Sequence, residues 1–143
     1  MAFFIIMDKD TQRKIESCKA LQGKTVEELI ATDRFRNNLA AYMTAQKEDR
    51  KQIRASYEAM RKLGGAKGYK LPAHPIDRVI NLTVGEFAAE FMAVVAKKSA
   101  RPVAERQYIQ QLGMQAYNLT VAQYVVEEYP ELEPVLIPKA KAN

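Results

Sequence analysis

Apolar positions along most of this chain recur with helical spacing. Val84, Phe87, Ala88, Phe91, Val94 and Val95 recur at three- and four-residue spacing, which lines one side of an α-helix with apolar groups. They predict a central core helix from Val84 to about Lys98. Asp33 to Leu63 reads as one long helix, with Leu39, Ile53 and Met60 on one heptad row and Tyr42, Tyr57 and Leu63 beside it. Gln46 and Asp49 interrupt that row and weaken the stripe in its middle. Pro102 suits the first turn of a further helix, where its missing amide proton costs little. That helix is expected to reach about Tyr117, with Val103, Ile109, Leu112 and Ala116 inward. A first helix over roughly Gln12 to Gln22 and a last one over about Val121 to Tyr129, stopped by Pro130, complete the set. Phe3-Phe4-Ile5-Ile6 at the start reads as a short buried strand or an apolar plug.

The boundaries of these segments carry their own chemistry. Asp8 to Thr11 offers cap residues for the first helix, and Gly23 can adopt the left-handed conformation that follows many helix ends. Thr25, Thr83 and Thr120 are each followed three residues later by Glu28, Glu86 and Gln123. Each pair reads as a capping box, in which the hydroxyl accepts an orphan amide and the longer side chain reaches back to the threonine amide. Asn81 to Phe87 is echoed by Asn118 to Tyr124, and selection of the same cap residues at two helix starts explains the echo better than a duplicated unit does.

The expected architecture is all-α: a compact single-domain bundle of five or six helices over residues 1–130, with an extended, proline-containing C-terminal tail over 131–143. The length of 143 residues suffices for one sizeable core, and 48% hydrophobic with 27% charged residues is an ordinary globular balance. The longest apolar run, Ala2 to Met7, falls far below the roughly 20 residues of a membrane helix, and nothing at the start reads as a secretory signal. A single cysteine, Cys18, cannot close an internal disulfide. The expectation is a cytoplasmic protein without a membrane segment.

Charge changes the picture more than composition does. The net charge is +5. Residues 34–70 hold ten bases and three acids, whereas the other segments are nearly balanced or slightly acidic. Clustered charge of this kind creates a field that dispersed charge does not. Lys47, Lys51, Arg54 and Arg61 fall on one side of the long helix, flanked by Arg50 and Lys62, and Lys67 and Lys70 carry the charge into the glycine-rich loop around Tyr69. These eight residues, Lys47, Arg50, Lys51, Arg54, Arg61, Lys62, Lys67 and Lys70, are the candidate nucleic-acid-binding set. A solvated helix face, with local pairs such as Glu58 and Lys62, is the plainer reading of the same residues.

Catalytic chemistry finds little support. His74, held between Pro72 and Pro75, is the only histidine, and neither it nor Cys18 has companions at metal-ligand spacing. Gly64-Gly65-Ala66-Lys67-Gly68 follows a helix rather than a strand, and no Ser or Thr follows a Gly-Lys pair, so it is not a phosphate-binding loop. Neither an enzyme activity nor a cofactor nor a metal is expected.

Two further features bear on partners. Glu127, Glu128, Glu131 and Glu133 cluster without a nearby base in sequence, and Val135-Leu136-Ile137 follows between prolines. With Phe3 and Phe4 at the other end, Val135, Leu136 and Ile137 are candidate contacts to other protein subunits, self or hetero. Arg106 to Met114 looks like the first helix and turn of a helix-turn-helix, although Ile109 stands where such motifs want a small residue. The function expected is therefore a non-catalytic structural or interaction subunit of a larger assembly, a viral or mobile-element particle being one that would suit, with a basic helix and loop facing nucleic acid. The alternative is a small helix-turn-helix-like DNA-binding regulator with its contacts within 104–126.

Overall fold

The computed structural model describes residues 8–64 and 70–137. Among the described residues the elements are α1 (Lys9–Glu16), α2 (Val26–Ile30), α3 (Asp33–Leu63), α4 (Ile76–Val79), α5 (Val84–Val95), α6 (Val103–Glu128), a 3-10 turn (Pro130–Leu132) and α7 (Glu133–Leu136), with no strand. The protein is all-α, as the periodicity predicts. The strand or plug expected at Phe3 to Ile6 lies outside the described residues.

The helix starts follow from side-chain chemistry. Asp8 accepts a hydrogen bond from the Thr11 amide at 2.7 Å and opens α1. Thr25 and Thr83 both form complete capping boxes. The Thr25 hydroxyl accepts from the Glu28 amide at 3.1 Å while the Glu28 carboxylate accepts from the Thr25 amide at 3.3 Å. The corresponding distances at Thr83 and Glu86 are 3.1 and 2.8 Å.

The third expected start is not one. Thr120 is fully buried in the interior of α6, and its hydroxyl donates to the Ala116 carbonyl at 2.7 Å. The helices expected before Tyr117 and after Val121 are a single helix, Val103–Glu128. The residues between supply no helix breaker, and a threonine whose hydroxyl satisfies a carbonyl four residues back can sit inside a helix instead of capping one.

Two chain reversals use the left-handed backbone region. Gly23 has φ +74°, but it closes a run of turns rather than a helix, because α1, expected over about Gln12 to Gln22, ends at Glu16. At the end of α5, Lys97 has φ +59°, with the Lys98 amide bonded to the Ala93 carbonyl at 2.8 Å and the Lys97 amide to that of Val94 at 3.0 Å. This is a Schellman ending with lysine where glycine is usual, and it stops α5 at Val95 rather than at the expected Lys98.

The chain forms two compact units, one of residues 1–38 and 114–143 and the other of residues 39–113, so α3 and α6 each contribute residues to both. In the first unit, Cys18, Leu29, Val121, Ala122, Val125, Leu132 and Leu136 form one buried cluster, with Ile15, Leu21, Tyr117 and Ile137 packed against it. Here the expectation of an extended tail over 131–143 is corrected for its first part, while residues 138–143 lie outside the described residues. Residues 130–136 wind into a 3-10 turn and one α-helical turn, because that curvature sets Leu132 and Leu136 four residues apart on one side and buries both. The glutamates around this segment also have partners. Glu127 pairs with Arg34, whose guanidinium stacks 4.5 Å from the Tyr124 ring. Glu128 accepts from the Lys19 amide at 3.0 Å, and Glu131 pairs with Lys14 at 3.0 Å.

In the second unit the buried side chains are Leu39, Met43, Ile76, Val79, Phe87, Ala88, Phe91, Ile109 and Leu112. Phe87, Ala88 and Phe91 supply the buried face of α5, as their spacing predicts. Val95 and Val103, expected inward, are 41% and 56% exposed.

Candidate nucleic-acid interface

The apolar row of α3 resumes beyond its interruption at Gln46 and Asp49, but the burial does not. Phe35, Leu39 and Met43 are buried. Beyond them no residue of α3 is buried, and every residue from Lys51 to Leu63 except Tyr57 is exposed. Ile53, Tyr57 and Met60 continue the row begun by Phe35 and Leu39 at four- and three-residue steps, yet Ile53 is 44% and Met60 39% exposed. The distal half of α3 is therefore a helix with an apolar strip that is only partly covered.

The basic side chains stand beside that strip. At 100° per residue, Arg54 and Arg61 adjoin it, and Lys47, Lys51 and Lys62 lie further round on the same side. Lys47, Lys51, Arg54 and Lys62 are exposed and make no ion pair among the described residues. From Lys47 to Lys62 is a span of about 22 Å at the helical rise. Arg61 lies 3.8 Å from Glu58, with both side chains 58% exposed, a geometry that restrains neither. Lys70 is exposed, and Lys67 lies outside the described residues.

Arg50 behaves differently and drops out of the binding set. Its Nε donates to Asp77 Oδ1 at 2.7 Å, and its Nη2 donates to Asp77 Oδ2 at 2.6 Å and to the Pro72 carbonyl at 2.8 Å. Asp77 in turn accepts from the His74 amide at 3.2 Å. The Arg50 hydrogen bond, aided by that amide, holds the Asp77 carboxyl below its ordinary value, and the same bond raises Arg50. Arg50 thus fastens the segment before α4 to α3. Sequence gave no sign of this pairing, because Asp77 is 27 residues away.

The predicted partner-binding residues divide. Phe3 and Phe4 lie outside the described residues. Leu136 is buried and Ile137 packs on the same core, so both serve the fold of their own unit, while Val135 is 57% exposed. The helix-turn-helix expected within 104–126 has no turn, since α6 is continuous through it. Among the described residues no group of three or more His, Cys, Asp or Glu side chains is placed to hold a metal, and no helix is long and apolar enough to cross a membrane. Comparison with protein-family models, with curated proteins and with solved structures found no match.

Proposed function

We propose that this protein is a non-catalytic subunit of a larger assembly in which the distal half of α3 faces nucleic acid. One observation carries the reading: Lys47, Lys51, Arg54 and Lys62 stand exposed along one side of α3 and make no ion pair among the described residues. Lysines and arginines in this setting contact phosphates rather than base edges, so the binding is of the backbone and indifferent to sequence. The strip of Ile53, Tyr57 and Met60 beside them is the surface that a neighbouring subunit covers in the assembly. Cytoplasmic location belongs to the same proposal.

The test measures binding to duplex and single-stranded oligonucleotides by fluorescence anisotropy, together with mass by light scattering with and without nucleic acid. Binding that weakens steeply with salt and disappears in a Lys47→Glu, Lys51→Glu, Arg54→Glu variant supports the proposal. A monomer that ignores both DNA and RNA at low salt rejects it.

A further inference from the structure

The ends of α5 and α6 enclose a second feature, separate from the basic side of α3. A cleft of about 320 Å3 lies between the close of α5 and the first two turns of α6. Val94, Val103, Lys97, Ser99, Arg106, Gln107 and Gln110 line it. Arg106, Gln107 and Gln110 stand three and four residues apart and so share one side of α6 with Val103. Two cations line the cleft and no carboxylate does.

The local acids are committed elsewhere. Arg101 donates from Nε to Glu90 at 2.7 Å and from Nη1 to Glu105 at 3.0 Å. Lys97 and Arg106 make no ion pair among the described residues, although Arg106 is partly buried. The Ser99 hydroxyl oxygen accepts from the Arg101 amide at 3.3 Å, which leaves its proton free to be donated. Lys97 occupies a left-handed position that glycine would fill with less strain, and it is one of the residues that line the cleft.

We infer that this cleft binds a phosphate ester of a ring-bearing small molecule, the nucleoside monophosphate being the chemical type. Lys97 and Arg106 take the phosphate, with the Ser99 hydroxyl as a further donor. The flat body of the ligand lies on Val94 and Val103, and Gln107 and Gln110 hydrogen-bond its polar edge. Charge alone would require only the two cations. The two valines and the two glutamines among the lining residues are what would select an ester over inorganic phosphate. The inference is independent of the basic side of α3.

The experiment titrates the full chain with inorganic phosphate, with adenosine 5′-monophosphate and with a short oligonucleotide, followed by calorimetry and by amide chemical shifts. Adenosine monophosphate is expected to shift the amides of Lys97, Gln107 and Gln110 and to bind more tightly than phosphate. Lys97→Gly is expected to weaken it about tenfold or more without lowering the melting temperature, since glycine suits that backbone position. Arg106→Gln is expected to weaken it similarly. If the oligonucleotide displaces the nucleotide, the natural source of the ester is a strand; if not, it is a free metabolite, and either outcome supports the site. No binding of any probe, affinity equal to that of inorganic phosphate, or unchanged affinity in Lys97→Gly overturns the inference. Loss of binding in Lys47→Glu, Lys51→Glu, Arg54→Glu alone would not touch it, which keeps the two readings separable.

Discussion

Gly113 lies against the Phe91 ring so closely that a Cβ built on it would stand 2.3 Å from Phe91 Cδ1. Phe91 is fully buried, so its ring has little room to retreat. Alanine normally stabilises a helix interior by about 1 kcal/mol relative to glycine. At this position the overlap outweighs that gain, and Gly113→Ala is expected to destabilise the protein by about 1–3 kcal/mol. Chemical denaturation measures it, and a stabilised variant would show that the α5–α6 contact in this unit is looser than described.

Arg50→Met is expected to cost about 1–2 kcal/mol, since it removes charge-assisted bonds to Asp77 and the Pro72 carbonyl while keeping the aliphatic stem. The pH dependence follows from Asp77, whose folded carboxyl titrates below its ordinary value. Its contribution is complete above the unfolded carboxylate value of about 4 and is lost as the pH falls through the lower folded value. The stability difference between the parent protein and Arg50→Met should therefore shrink on acidification, and a difference that persists to pH 2 would remove Asp77 as the partner that matters.

Thr120 joins two polar networks in the first unit: its hydroxyl donates to Ala116 and accepts from Asn38 Nδ2 at 3.0 Å. Asn38 also donates to Gln123 at 2.9 Å. Thr120→Val keeps the shape and removes the acceptor, and should cost about 1–2 kcal/mol. Thr120→Ser should recover most of the hydrogen bonding at the expense of a methyl group. A Thr120→Val variant as stable as the parent would show that the hydroxyl contributes nothing to stability.

Removal of residues 131–143 is expected to reduce helical content and lower the melting temperature, because Leu132 and Leu136 are only 6% and 7% exposed. Leu132→Ala and Leu136→Ala should each cost about 2–5 kcal/mol. Circular dichroism on the truncated chain decides it. Full helicity with lost self-association would return the segment to the role of a pure partner contact.

Nucleic-acid affinity should fall with salt on a double-logarithmic slope of about 3–4 for duplex DNA if Lys47, Lys51, Arg54 and Lys62 each meet one phosphate. Single replacements of these residues by Gln should each lower the slope by about 1. Arg50→Met should change stability without changing the slope, which tests its separation from the binding set.

The fold was largely legible because helix periodicity and capping are local. Thr25 and Thr83 marked true starts, and Phe87, Ala88 and Phe91 marked a true core face. Thr120 misled because the same hydroxyl chemistry serves a cap or a mid-helix carbonyl, and only the preceding backbone decides between them. The tail misled because prolines suggest extension, whereas Pro130 and Pro134 here begin short helical turns, where a fixed φ and a missing amide are tolerated. At the candidate site, the positions of the bases were legible, but their availability was not. Arg50 and Lys51 are neighbours in sequence, and only the fold pairs one of them with Asp77. Nor could the apolar row of Ile53 and Met60 reveal that both would stay partly exposed.

The uncovered end of α3 also sets when that part of the molecule becomes ordered. A helix segment without buried side chains is held chiefly by its own backbone bonds, and such segments open locally at far lower free energy than a packed core. The amides of residues 52–63 should exchange with solvent orders of magnitude faster than those of Phe35 to Met43, although both belong to one helix. A partner that seats on Ile53, Tyr57 and Met60 would halt this local opening, so part of its binding energy goes into holding the helix closed. The affinity of the assembly is thereby tunable through helix propensity: alanine at Ser56, an exposed position at the edge of the strip, should strengthen association chiefly by favouring the helix.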